Sequence, residues 1–165
     1  MRLAILASHP IQYQAPLFRL LAGRVNLTVF YAHRANQADQ ATAGFGVGFD
    51  WDIDLLSGYE HEFMDNVSRN PGLDHFGGCD IPSIQTKLAD GQYTVLFVMG
   101  WHLKCFLQGV WAAKRLGLPV IVRGDSHLET PRSLIKRLGK MLLYPIALRS
   151  FNAALYVGKR SQRYW

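Results

Sequence analysis

Short apolar runs of strand length recur along this chain, separated by stretches with helical spacing, and no other feature limits its possible folds so strongly. Leu3 to Ala7 is continuously apolar, as a strand buried on both faces requires. Pro16 suits the first turn of a helix in which Leu17, Phe18, Leu20 and Leu21 form one apolar side before Gly23 closes it. Leu27 to Tyr31 completes a β-α-β opening. Trp51 to Leu55 alternates and predicts a half-exposed strand, and the Gly- and Pro-punctuated segment 66–82 predicts a long loop. Val95 to Met99 repeats the buried-strand pattern, after which Leu103, Phe106, Leu107, Val110 and Ala113 fall at helical spacing as far as Gly117. Pro119 to Val122 reads as a strand, Pro131 to Arg149 as a helix, Ala153 to Val157 as a strand, and Lys159 onward as the start of a helix. Such alternation predicts α/β architecture, a Rossmann-like doubly wound parallel sheet with residues 1–165 forming one domain.

Composition removes several other classes. A hydrophobic fraction of 49% with 18% charged residues excludes disorder, and two cysteines exclude a disulfide framework. The uncharged run from Met141 to Leu148 is eight residues long and contains Pro145, far short of the ~20 that a membrane span needs. The apolar stretch near Met1 is too short, and Ser8-His9-Pro10 too polar, for a secretory signal, so a cytoplasmic address is expected and the sequons at Asn26 and Asn66 go unused. The net charge of +6 is unevenly spread: residues 1–131 hold 10 basic side chains and all 12 acidic ones, whereas residues 132–165 hold eight basic and no acidic ones. A basic stretch of this kind faces a membrane surface, a polyanion or an acidic partner. A nucleic-acid partner is not expected.

Several short motifs carry little. Gly44-Phe45-Gly46-Val47-Gly48 has the wrong spacing for a dinucleotide loop and does not join a strand to a helix. Asp50-Trp51-Asp52 and Asp52-Ile53-Asp54 match the Asp-x-Asp pair of metal-dependent sugar transferases, but on a strand they read as a charged solvent face. No metal site is expected. Cys79 and Cys105 lack ligand spacing and read as isolated thiols, and His33, His61 and His75 read as solvated.

Ligands of parallel sheets lie at the carboxyl ends of the strands. Here those ends carry His9, Gln12 and Tyr13 after the first strand; Gly100, Trp101 and His102 after the Val95 strand; and Arg123, Gly124, Asp125, Ser126 and His127 after the Val120 strand. All are candidate site residues, with histidine at three of the ends.

At these residues the chain resembles a known family. Leu3-Ala4-Ile5-Leu6-Ala7-Ser8-His9-Pro10-Ile11-Gln12-Tyr13, Gly58-Tyr59-Glu60, Val120-Ile121-Val122-Arg123-Gly124-Asp125-Ser126-His127 and Ala153-Ala154-Leu155-Tyr156-Val157-Gly158-Lys159-Arg160-Ser161 are similar to the N-terminal half of family 4 (group 1) glycosyltransferases, of the retaining GT-B class. The resemblance implies one half of a two-domain enzyme, the acceptor-side domain, facing a C-terminal donor-binding domain whose Glu-x7-Glu pair this sequence does not contain. It implies a nucleotide-sugar donor as substrate, no cofactor, and a glycan or lipid-linked acceptor. The family's active-site histidine corresponds to His127, with Asp125 as the rival if the loop is counted differently. Its implied task is to hydrogen-bond the transferred sugar and steady charge developing at the anomeric carbon. The family's first-strand loop is often glycine-rich, whereas His9 to Tyr13 contains no glycine. Alone, the chain is expected to be inactive. Residues 132–149 add an expected peripheral contact with an anionic membrane, through an apolar side bordered by Arg132, Lys136, Arg137, Lys140 and Arg149. The alternative is a self-sufficient α/β module that binds a nucleotide or small polar ligand without chemistry.

Overall fold

A computed structural model describes residues 1–34, 53–124 and 147–164. Its strands are β1 (Arg2–Ala7), β2 (Asn26–Tyr31), β3 (Glu60–Phe63), β4 (Val95–Val98), β5 (Val120–Gly124) and β6 (Ala153–Tyr156). Its helices are α1 (Ala15–Ala22), α2 (Ile84–Asp90), α3 (Lys104–Arg115) and α4 (Gly158–Tyr164), with a short 3-10 turn at Phe76–Gly78. The strands form one six-stranded sheet in the order β3-β2-β1-β4-β5-β6, with every neighbouring pair parallel. This is the doubly wound, Rossmann-like order, and its direction reverses between β1 and β4, the place at the carboxyl edge where ligands of such sheets bind.

The period-2 alternation of strands distributes the apolar residues to two faces. Leu3, Ile5 and Ala7 pack with Leu27, Val29, Tyr31, Val95 and Phe97 under Phe18 of α1. Ala4 and Leu6 point the other way, into a cluster with Leu96, Val98, Val120, Val122, Ile84 and Leu88 of α2, and Phe106 and Val110 of α3. Both faces of β1 are therefore buried, which is why its sequence is apolar throughout. α3 ends where Gly117 takes a φ of +70°, letting the Leu118 amide donate to the Ala113 carbonyl at 2.8 Å.

Some elements differ from the sequence expectation. The half-exposed strand expected at Trp51–Leu55 is absent from its described part: the Asp54 carboxylate accepts from the Leu56 and Ser57 amides at 2.9 and 3.1 Å and turns the chain. Its bonds to Ser57 and Leu56 hold the Asp54 carboxyl down at about 2. The edge strand instead lies at β3, whose residues pair with Thr28 to Tyr31. α2 was not expected from the sequence. The long segment before it is a loop, fastened by Asn66, whose Oδ1 accepts from the Ser68 and Asp80 amides. The helix expected over 131–149 lies mostly outside the described residues.

Cys79 and Cys105 are not isolated. Both are wholly buried, and their thiols hydrogen-bond to one another, which together with burial pushes the Cys105 thiol up. Beside them the loop is latched to α3, with Lys104 Nζ 2.6 Å from Asp80 Oδ2 and Gln108 Nε2 2.7 Å from Asp80 Oδ1.

Candidate ligand crevice at the carboxyl edge of the sheet

The first-strand loop is built from a tight turn. Both the Gln14 and Ala15 amides donate to the Ile11 carbonyl, at 3.0 and 3.2 Å, and Pro16 has no amide hydrogen to offer. The start of α1 thus presents few backbone donors, unlike a glycine-rich phosphate loop. Side chains do the presenting instead. Ser8 Oγ and His9 Nδ1 are 3.0 Å apart, Gln12 is exposed, and the Tyr13 ring stands 64% exposed at the rim.

Arg123 comes from the end of β5, two strands away from β1 in the sheet order. Its guanidinium lies 5.7 Å from the centroid of the Tyr13 ring, so the two expected site residues span the reversal point between β1 and β4. No carboxylate among the described residues pairs with Arg123. The next residue, Gly124, accepts a 2.9 Å hydrogen bond at its carbonyl from Ser161 of α4, which ties that helix to the end of β5.

Gly100, Trp101 and His102 form the rim after β4. A Cβ on Gly100 would stand 2.9 Å from the Phe106 ring, so the approach of α3 to β4 requires glycine there. The Trp101 ring meets Phe151 edge-on with centroids 6.4 Å apart, and His102, exposed, sits 5.8 Å from Phe106. The expected catalytic residues His127 and Asp125, and Ser126, lie outside the described residues.

Two features of this edge were not expected from the sequence. His33, read as solvated, is 9% exposed, because its amide donates to the Ser8 carbonyl at 2.7 Å and draws it under the β1 loop. Gln14, 4% exposed, has its side-chain Oε1 buried without a hydrogen-bond partner among the described residues. The signal available in the sequence was a polar residue just before a helix that opens Ala15-Pro16, where a solvent-facing cap is the usual occupant. Arg34 adds a second cation at the rim, its guanidinium 3.8 Å from the centroid of the Phe63 ring.

The described edge therefore offers imidazoles, aromatic faces and cations with no carboxylate partner among the described residues. It can accept and donate hydrogen bonds to hydroxyls, stack on an apolar ring face and attract an anion. No group of three or more potential metal ligands occurs among the described residues. Likewise, no described helix is long and apolar enough to cross a membrane. Comparison of the sequence with protein-family models and with curated proteins finds no match in either.

Proposed function

We propose that this chain is the acceptor-side domain of a retaining, metal-independent GT-B glycosyltransferase, which moves a sugar from a nucleotide-sugar to a glycan or lipid-linked acceptor. The observation that carries this reading is the make-up of the crevice at the β1–β4 reversal. Tyr13 and Arg123 meet across it, while the α1 turn spends its amides on the Ile11 carbonyl. A nucleotide-binding Rossmann site holds its diphosphate on such amides. Here the wall favours a polyhydroxylated acceptor, held by Gln12, His9 and His102 and stacked on Tyr13 or Trp101. A donor-binding domain would supply the opposite wall and, with its helix dipoles and basic side chains, the stabilisation of the leaving diphosphate. His127 would hydrogen-bond the transferred sugar. The reaction would take place at the cytoplasmic side of a membrane.

The isolated chain should show no sugar transfer and no nucleotide-sugar hydrolysis, because the chemistry needs groups from both walls. Calorimetry with nucleoside diphosphates should give weak heats or none. Micromolar binding of a nucleoside diphosphate would overturn the acceptor-side reading in favour of a self-sufficient nucleotide-binding module.

A further inference from the structure

The outward face of α3 differs from that of α2. Cys105, Phe106, Gly109, Val110, Ala112 and Ala113 are buried against the sheet, which leaves Lys104, Leu107, Gln108, Trp111, Lys114 and Arg115 on the opposite side. Within that face Leu107 is 44% and Trp111 57% exposed, one helical turn apart. The Arg115 guanidinium covers the Trp111 ring at 4.7 Å. The 12-residue helix contains three basic residues and no acidic one. By contrast, α2 turns Thr86, Lys87 and Asp90 to solvent, the mixed polar face of an ordinary surface helix.

We infer that the outward face of α3 rests on an anionic bilayer, with Leu107 and Trp111 entering the boundary between headgroups and acyl chains and Lys114 and Arg115 meeting lipid phosphates. A tryptophan beside arginine and lysine is the side-chain set of that boundary. Charge selects this occupant over a second copy of the chain: Lys104 is already paired with Asp80, and bringing two such faces together would oppose Lys114 and Arg115 to their own copies. The placement is also productive: α3 begins two residues after His102, so a bilayer along it lies beside the crevice. The inference deepens the proposed function and rests on its lipid-linked acceptor for purpose, though not for its observations.

The test is co-sedimentation of the whole chain with vesicles of phosphatidylglycerol and phosphatidylcholine, and of phosphatidylcholine alone, with no acceptor lipid present. Two variants are compared with wild type, Leu107→Ser with Trp111→Ser, and Lys114→Gln with Arg115→Gln, with Lys87→Gln on α2 as a charge control. Thermal melts confirm that each folds. Wild type and the control should bind the anionic vesicles at low salt, and each double variant should bind about tenfold more weakly or worse, one through lost apolar insertion and the other through lost attraction to lipid phosphates. Equal binding by wild type and both double variants would overturn the inference. So would equal binding to phosphatidylcholine alone, or loss only when Lys136, Arg137 and Lys140 are changed to Gln. A change of oligomeric state in the Leu107/Trp111 variant without vesicles would assign the face to a second copy, and variant-sensitive binding of RNA but not of vesicles would assign it to a polyanion. Because no sugar transfer is read, failure here leaves the transferase reading standing. Persistent binding by a chain that does not support transfer would do the reverse.

Discussion

The two ends of the same strands are built on opposite plans. At the amino end, Arg2 is half-buried and engaged: its amide donates to Thr94 Oγ1 at 3.0 Å, Nη1 donates to the Gly91 carbonyl at 2.9 Å, and the guanidinium lies 4.8 Å over the Tyr93 ring and 3.8 Å from Glu60, while its buried Nε has no partner among the described residues. Glu60 in turn accepts from Thr28 Oγ1 at 2.9 Å. At the carboxyl end, Arg123 stands over an exposed tyrosine with no carboxylate partner among the described residues, and the buried Gln14 Oε1 has no hydrogen-bond partner among them. One arginine is spent on joining strands β1, β3 and β4, and the other is left with capacity. Burying polar groups without partners costs stability, and among the described residues each end holds one such atom, Arg2 Nε and Gln14 Oε1, so what separates the two ends is how far their arginines are engaged.

Substitutions can break this contrast. The largest effect should be at His127: in a chain that also carries the donor-binding domain, His127→Ala should lower turnover by about 10²-fold, the scale of one lost transition-state hydrogen bond, with the melting temperature unchanged. Steady-state kinetics beside a thermal melt would check it. If turnover survives, the proposed catalytic role fails. Next, Arg2→Ala should lower unfolding free energy by about 2 kcal/mol in urea titration, having removed hydrogen bonds between distant segments, while Arg123→Ala leaves it within about 0.5 kcal/mol. Equal losses would erase the distinction between the ends.

Two smaller effects sharpen it. Asp80→Asn should cost about 1 kcal/mol at neutral pH by loosening the latch on α3. The hydrogen bond from Lys104 lowers the Asp80 carboxyl below its ordinary value, so its contribution is fully present above the unfolded aspartate value and fades as the pH falls through the lower folded one. Wild type and variant should therefore begin to converge in stability as the pH falls below about 4, where an unfolded aspartate protonates, and meet only below the lower folded value. Urea titrations across pH would detect a gap that persisted in acid. Last, Gln14→Leu replaces a buried carbonyl that has no partner among the described residues by an apolar group of similar size and should stabilise the chain by up to about 1 kcal/mol. A destabilised variant would mean that Gln14 is already satisfied.

The parts legible in the sequence are those whose pattern is local. β1, β2 and β4 announce themselves because both of their faces are buried, and α3 because Leu103, Phe106, Val110 and Ala113, all buried, recur with helical spacing, although Leu107, read with them, faces solvent. β3 was hidden because Glu60-His61-Glu62-Phe63 is a polar edge strand, made by pairing with β2 rather than by its own pattern. α2 rests on two apolar anchors, Ile84 and Leu88, too few to show a period. The candidate site follows the same rule. Strand ends could be located, but the meeting of Tyr13 with Arg123 depends on strand order, and the burial of His33 depends on a carbonyl of a neighbouring strand's loop.

The central position of β1 has a consequence for how the chain acquires its shape. β1 is flanked by β2, which follows after a short helix, and by β4, where Leu3 aligns with Val95 and the Arg2 amide meets Thr94. A growing chain can therefore assemble β1, α1 and β2 early, but it must keep one side of its most apolar strand open until residue 98 exists. Closing that contact brings together segments separated by 92 positions, a late and slow event for a parallel sheet. Until then the bare edge of Leu3-Ala4-Ile5-Leu6 is the surface through which an unfinished chain would pair with another copy or engage a chaperone.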